Sequence, residues 1–169
     1  MEGSERAGAS QAAVTAWRRG VRLGVDWGQA RIGVAACDAD GVLAYPVETI
    51  PQGPQAPERL AVLAAEYGAI EVVLGWPTSL RGESGPAAEA MWKVAGRLDR
   101  VIGVPIRLVD ERLTTVTAAR RLSGAGRRRR DWSSVIDQVA AVEILQQALD
   151  TERRTGHPAG RTIQTGEES

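Results

Sequence analysis

Between residues 21 and 50, apolar and polar positions alternate with a period of two, broken twice by turn residues, and this pattern predicts three consecutive strands. In the first, Val21, Leu23 and Val25 share one parity and Arg22, Gly24 and Asp26 the other. The carboxylate of Asp26 therefore points away from the Leu/Val face. Gly28 suits a tight turn, and Gln29, Ala30 and Arg31 carry the chain into a second strand from Ile32 to Cys37. Asp38 to Gly41 forms another turn, and Val42 to Ile50 reads as a third strand in which Pro46 requires an edge position or a bulge. Connections this short leave no room for crossovers, so the three strands form an antiparallel meander.

After Pro51 the period lengthens. Leu60, Leu63 and Ala64 are spaced for a helix from Glu58 to Tyr67, stopped by Gly68. A buried-type strand, Ala69 to Leu74, leads through the loop 78–85 to a second helix, roughly Pro86 to Arg100, with Met91, Val94, Ala95 and Leu98 on one side. A short strand follows from Ile106 to Val109, then a third helix capped by Thr114 or Thr115 and reaching Leu122. The last helix is predicted over Ser134 to Leu149. This order indicates an α/β fold with a mixed five-stranded sheet, the meander first and parallel strands after it, and helices on both faces. Residues 21–150 are expected to form one domain, residues 1–20 a mobile leader without the apolar core of a signal peptide, and residues 151–169 a flexible polar tail. No run approaches a membrane span, so the expected location is the cytoplasm, with no membrane partner.

Composition narrows the chemistry. A chain of 169 residues, 43% hydrophobic and 25% charged, is an ordinary globular protein with no room for a second catalytic domain. Its net charge is zero, so any nucleic-acid footprint must come from uneven placement of charge. From 112 to 130 the chain holds Arg112, Arg120, Arg121, Arg127, Arg128, Arg129 and Arg130 and no acid. That run is either a solvated loop or a clamp for backbone phosphates, with Arg31 at the hairpin assisting. A single cysteine, Cys37, excludes an internal disulfide, and a single histidine, His157, leaves no multi-histidine metal site and argues against a Ser-His-Asp triad. Any metal must be held by carboxylates.

At about 100° per residue, the last helix gathers Glu143, Gln146, Gln147 and Asp150 into one polar sector. Val139, Ala141, Val142, Leu145, Ala148 and Leu149 lie opposite, and Asp137 and Gln138 fall among them. Asp137 thus faces the sheet. Ser134 to Asp137 also has the spacing of a capping box, which is the competing role for this acid. A carboxylate on the covered side requires a partner, no lysine lies near it in sequence, and a divalent cation would satisfy the need. Asp110 and Glu111, at the end of a strand, point to opposite faces. Asp26, Glu111 and Asp137 converge if the two strands are neighbours and the helix packs over them. Clustered acids of this kind suit Mg²⁺ or Mn²⁺, and two such ions support phosphodiester hydrolysis.

Four stretches, in order, resemble the YqgF/RuvX family: Gly24-Val-Asp26-Trp-Gly28-Gln-Ala-Arg31-Ile-Gly33-Val-Ala35, Leu74-Gly75-Trp76-Pro77 with Gly82 and Ser84, Asp110-Glu111-Arg112-Leu113-Thr114-Thr115, and Ile136-Asp137-Gln138-Val139-Ala140-Ala141 with Ile144-Leu145-Gln146. These bacterial proteins are described as pre-16S ribosomal RNA nucleases and as Holliday-junction-resolvase-like enzymes. The resemblance implies a ribonuclease H-like three-layer fold and makes Asp26, Glu111 and Asp137 the acidic metal-binding triad. It implies a metal-dependent nuclease, using Mg²⁺ or Mn²⁺, that processes the 5′ end of pre-16S ribosomal RNA. The alternatives are resolution of a four-way DNA junction, which needs a homodimer, and a non-catalytic nucleic-acid-binding module. The Asp-x-Gly hairpin also resembles the phosphate loop of actin-like kinases, but those need two such subdomains and this chain has room for one. The expected partner is nucleic acid, pre-rRNA or branched DNA, bound by a monomer or homodimer.

Overall fold

The computed structural model of the chain describes residues 17–76, 86–110 and 129–163. The elements run β1 (Arg22–Trp27), β2 (Arg31–Cys37), β3 (Ala44–Pro51), α1 (Ala56–Glu66), β4 (Glu71–Trp76), α2 (Pro86–Val101), β5 (Ile106–Asp110), α3 (Arg129–Thr155) and β6 (Arg161–Thr162). The strands form one mixed sheet in the order β3-β2-β1-β4-β5-β6. β1, β2 and β3 make the predicted meander, and β4 and β5 lie parallel to β1, reached through the helical crossovers that parallel pairing requires. Pro46 sits on the edge strand and beside a register shift, where Val34 opposes Glu48 but Ala35 opposes Pro46. Both devices that tolerate a strand proline are therefore present.

The period-two alternation sorts side chains between two cores. Leu23, Val25, Ile32 and Val34 pack with Leu60 and Leu63 of α1 and Met91, Ala95 and Leu98 of α2. On the other face Ala35, Cys37 and Val73 pack with Ala141, Ile144, Leu145, Ala148 and Leu149 of α3. Three layers result, with the ribonuclease H-like arrangement expected from the sequence.

Three details differ from expectation. The sheet has a sixth strand, because Arg161–Thr162 pairs antiparallel with Arg107–Leu108 and Ile163 donates its amide to the Ile106 carbonyl. The segment from 151 to 163, expected to be flexible tail, thus begins with the end of α3 and closes the sheet edge. A two-residue strand has no alternation to read. Trp17, expected in the mobile leader, packs on the α3 core, with the guanidinium carbons of Arg22 and Arg153 at 4.2 and 4.7 Å from its ring centroid. Val139 is exposed rather than covered, since the buried stripe of α3 runs through Asp137, Ala140, Ala141, Ile144, Leu145, Ala148, Leu149 and Glu152. The predicted helix from 114 to 122 and the loop 78–85 lie outside the described residues.

Near the start of β1 a charged cluster is buried under α3. Arg18 bonds Glu152 at 2.6 Å and Glu71 at 3.0 Å, Arg22 bonds Glu152 at 3.1 Å, and Arg107 bonds Glu71 at 3.0 Å. Burial alone would push the Glu71 carboxyl up, but the hydrogen bonds from Arg18 and Arg107 outweigh it and hold the group below its ordinary value of 4.5. A depressed carboxyl contributes stability that is present above pH 4.5 and is lost as pH falls through the lower folded-state value. Glu71→Gln should destabilise the protein by about 3 kcal/mol in urea unfolding at pH 7, because it leaves buried arginines underpaired. The same variant should lose less stability than wild type between neutral and acid pH.

Candidate active site

Asp26 is placed by the alternation of β1. Leu23 and Val25 face the α1/α2 core, so Gly24 and Asp26 lie under α3. A Cβ on Gly24 would stand 2.6 Å from Cβ of Leu145. Asp26 is 1% exposed, and its cross-strand neighbour on β2 is Gly33. A Cβ on Gly33 would run into the carbonyl oxygen of Asp137. The missing side chain therefore allows the Asp137 turn of α3 to rest on the sheet beside Asp26. Asp137 is itself buried, as the helical periodicity predicted. Gly33, the register partner of Asp26, thus seats the backbone of the helix acid over the strand pair that holds the other.

Asp137 has a cationic partner that sequence proximity did not reveal. Arg31 Nε donates to its Oδ2 at 3.0 Å across a separation of 106 residues. A divalent ion is thus not the sole means of balancing this carboxylate. Other contacts the sequence did not show fix the surroundings. Gln138 Nε2 donates to Thr49 Oγ1 at 2.9 Å, tying α3 to the edge strand. Gln52 donates through its backbone to the Ala30 carbonyl at 3.1 Å and through Nε2 to the Gly28 carbonyl at 2.7 Å, bracing the hairpin that carries Arg31. The Gly28 amide closes that hairpin on the Arg31 carbonyl at 3.0 Å.

Glu111, Arg112, Arg120, Arg121, Arg127 and Arg128 lie outside the described residues. Arg129 and Arg130 open α3, and their side chains are not among those described. β5 ends at Asp110, paired in register with Trp76 of β4. Among the described residues no three metal-ligating side chains come together. Asp26 and Asp137 are nevertheless hard oxygen donors, buried on facing elements with a glycine between them, and this pair fits a divalent cation of the Mg²⁺ or Mn²⁺ type.

A family model described as "RuvX: Holliday junction resolvase" matches residues 20–151. The chain belongs to the RuvX family. A relative from Streptomyces coelicolor is 55% identical over 150 residues, covering 87% of this chain and 90% of its own length. Another, from Thermobifida fusca, is 54% identical over 155 residues, with 87% and 98% covered. Both carry the name "Putative pre-16S rRNA nuclease". Among solved structures, the RuvX chain is similar to the RuvC of Thermus thermophilus in complex with a Holliday junction substrate, with a TM-score of 0.51, 16% identity, and 85% and 99% of the two chains covered. At that identity the likeness supports the fold.

The seat on Gly33 yields a prediction. Gly33→Ala should cost about 1 to 3 kcal/mol in thermal or urea unfolding, because backbone rather than a flexible side chain meets the added methyl. Gly53→Ala, where nothing stands within 4 Å, is the control and should change stability little.

Proposed function

We propose that this RuvX chain is a metal-dependent nuclease that hydrolyses phosphodiester bonds in structured nucleic acid, with the 5′ end of pre-16S ribosomal RNA as its substrate. The observation that carries the reading is the burial of Asp26 and Asp137 on facing elements at Gly33. The names of the Streptomyces and Thermobifida relatives support the choice of substrate. Asp26, Asp137 and Glu111 would hold the ions. Glu111 enters as the third ligand through the Asp110-Glu111-Arg112-Leu113-Thr114-Thr115 stretch that carries the family resemblance. Bound there, Mg²⁺ or Mn²⁺ supplies an activated water and stabilises the leaving oxygen.

The chain's own contribution is positioning. β1 holds Asp26 rigidly, the Gly33 contact sets the height of Asp137, and the arginines Arg112, Arg120, Arg121 and Arg127 to Arg130 bind backbone phosphates. No helix among the described residues is long and apolar enough to cross a membrane, and cytoplasmic action on ribosomal RNA is consistent with that. The description of the matching family names a second reading, cleavage of a four-way DNA junction, which would require two chains related by a two-fold axis.

Purified protein given a 5′-extended 16S ribosomal RNA fragment or a four-way DNA junction, with Mn²⁺ or Mg²⁺, should cut the RNA in preference. Asp26→Asn should lower that rate by about a hundredfold or more, since it removes a metal ligand without changing shape. Preference for the junction selects the second reading, and equal cutting by the variant contradicts both. Changing Arg127 to Arg130 to Ala should reduce the slope of log affinity against log salt by about one unit for each arginine that contacts a phosphate. An unchanged slope would remove these residues from the binding surface.

A further inference from the structure

We infer that Arg31 is a resident counter-ion that competes with the divalent cation for Asp137, so that metal loading displaces its guanidinium. This inference rests on the metal-centre reading above and adds a positioning role that sequence and family comparison do not assign. Its basis is geometric. Arg31 Nε lies 3.0 Å from Asp137 Oδ2, a normal charge-assisted hydrogen bond to one of the oxygens a metal would use. The Asp137 side chain is 12% exposed and its backbone is seated on Gly33, so the carboxylate cannot move far to satisfy two cations at once. The Arg31 side chain is 40% exposed and stands at the first position of β2, just after the hairpin turn, so it can withdraw toward solvent without unpacking a core.

Electrostatics gives the pairing its purpose. Asp26 and Asp137 are buried like charges on elements that meet at Gly33, and without metal their repulsion would loosen the Asp137 turn. Arg31 neutralises one of them and keeps the site assembled. With metal, the guanidinium and the ion are like charges at one carboxylate, and the ion, which takes oxygens from several acids, displaces the single hydrogen bond. Metal affinity is therefore set below what the acids alone would give, by the free energy of the Arg31–Asp137 pair.

The test is calorimetric titration of Mn²⁺ into the full-length chain, compared across Arg31→Gln, Arg31→Lys, Arg59→Gln, Asp26→Asn and Asp137→Asn. Arg31→Gln should bind Mn²⁺ about fivefold more tightly than wild type, the scale expected for a partly exposed ion pair. Arg31→Lys, which keeps the charge but loses the forked donor, should fall between the two, so either variant alone reports the effect. Arg59→Gln removes an exposed arginine paired with Glu48 on α1 and should leave the affinity at the wild-type value, separating local competition from a change in net charge. Without metal, Arg31→Gln should also melt below wild type, and Mn²⁺ should raise its Tm by more. If wild type binds Mn²⁺ through Asp26 and Asp137 but the Arg31 variants bind equally or less tightly, the counter-ion role is wrong and the metal centre stands. If wild type does not bind, or binding survives loss of both acids, the metal centre itself is wrong and the counter-ion role falls with it.

Discussion

The close approach of α3 to the first two strands is the constraint on which the site depends. It is possible only because Gly24 and Gly33 offer no side chain, one beneath Leu145 and the other beneath the Asp137 carbonyl. Gly24 allows the apolar stripe of α3 to bury against β1, and Gly33 determines how near the acid of the helix comes to the acid of the strand. Packing and chemistry thus share one contact surface. A helix held a few ångströms further out could still cover the sheet, but the Asp137 turn would no longer rest on the register partner of Asp26.

The same helix covers two charged regions with opposite design. Near the start of β1, Glu71 and Glu152 are surrounded by Arg18, Arg22 and Arg107, so that each acid is paired with arginine, and Trp17 packs over Arg22. Toward the end of β1, roughly 13 Å along the strand, Asp26 is paired with Gly33, on which the Asp137 turn rests, and Arg31 donates to the Asp137 carboxylate. A buried cluster in which every acid is paired ties elements together. Two buried carboxylates with a partly exposed arginine beside one of them form a region that a cation could join.

Much of this was legible in residue order because it rests on short-range periodicity. The two-residue alternation in β1 placed Asp26 on the α3 face, and the helical wheel placed Asp137 on the covered side. Pro46 called for an edge position or a bulge, and β3 has both. What escaped depends on pairing across long separations. Arg31 reaches Asp137 over 106 residues, Arg18 reaches Glu152 over 134, and neither leaves a local pattern. β6 is too short to alternate, and its edge pairing comes from where the chain returns after α3. Val139 was misplaced because a wheel drawn for an ideal helix does not show which edge of a broad apolar stripe the sheet will cover.

A metal centre held by Asp26 and Asp137, on the elements that meet at Gly33, is the proposal on which the rest stands. Crystals of the protein soaked in Mn²⁺ and measured on both sides of the manganese absorption edge test it most directly. A metal centre there gives anomalous difference density bounded by the carboxylates of Asp26 and Asp137, with Glu111 as the third ligand and the peak lost in Asp26→Asn. Manganese density elsewhere, or none at this position at millimolar metal, would contradict it.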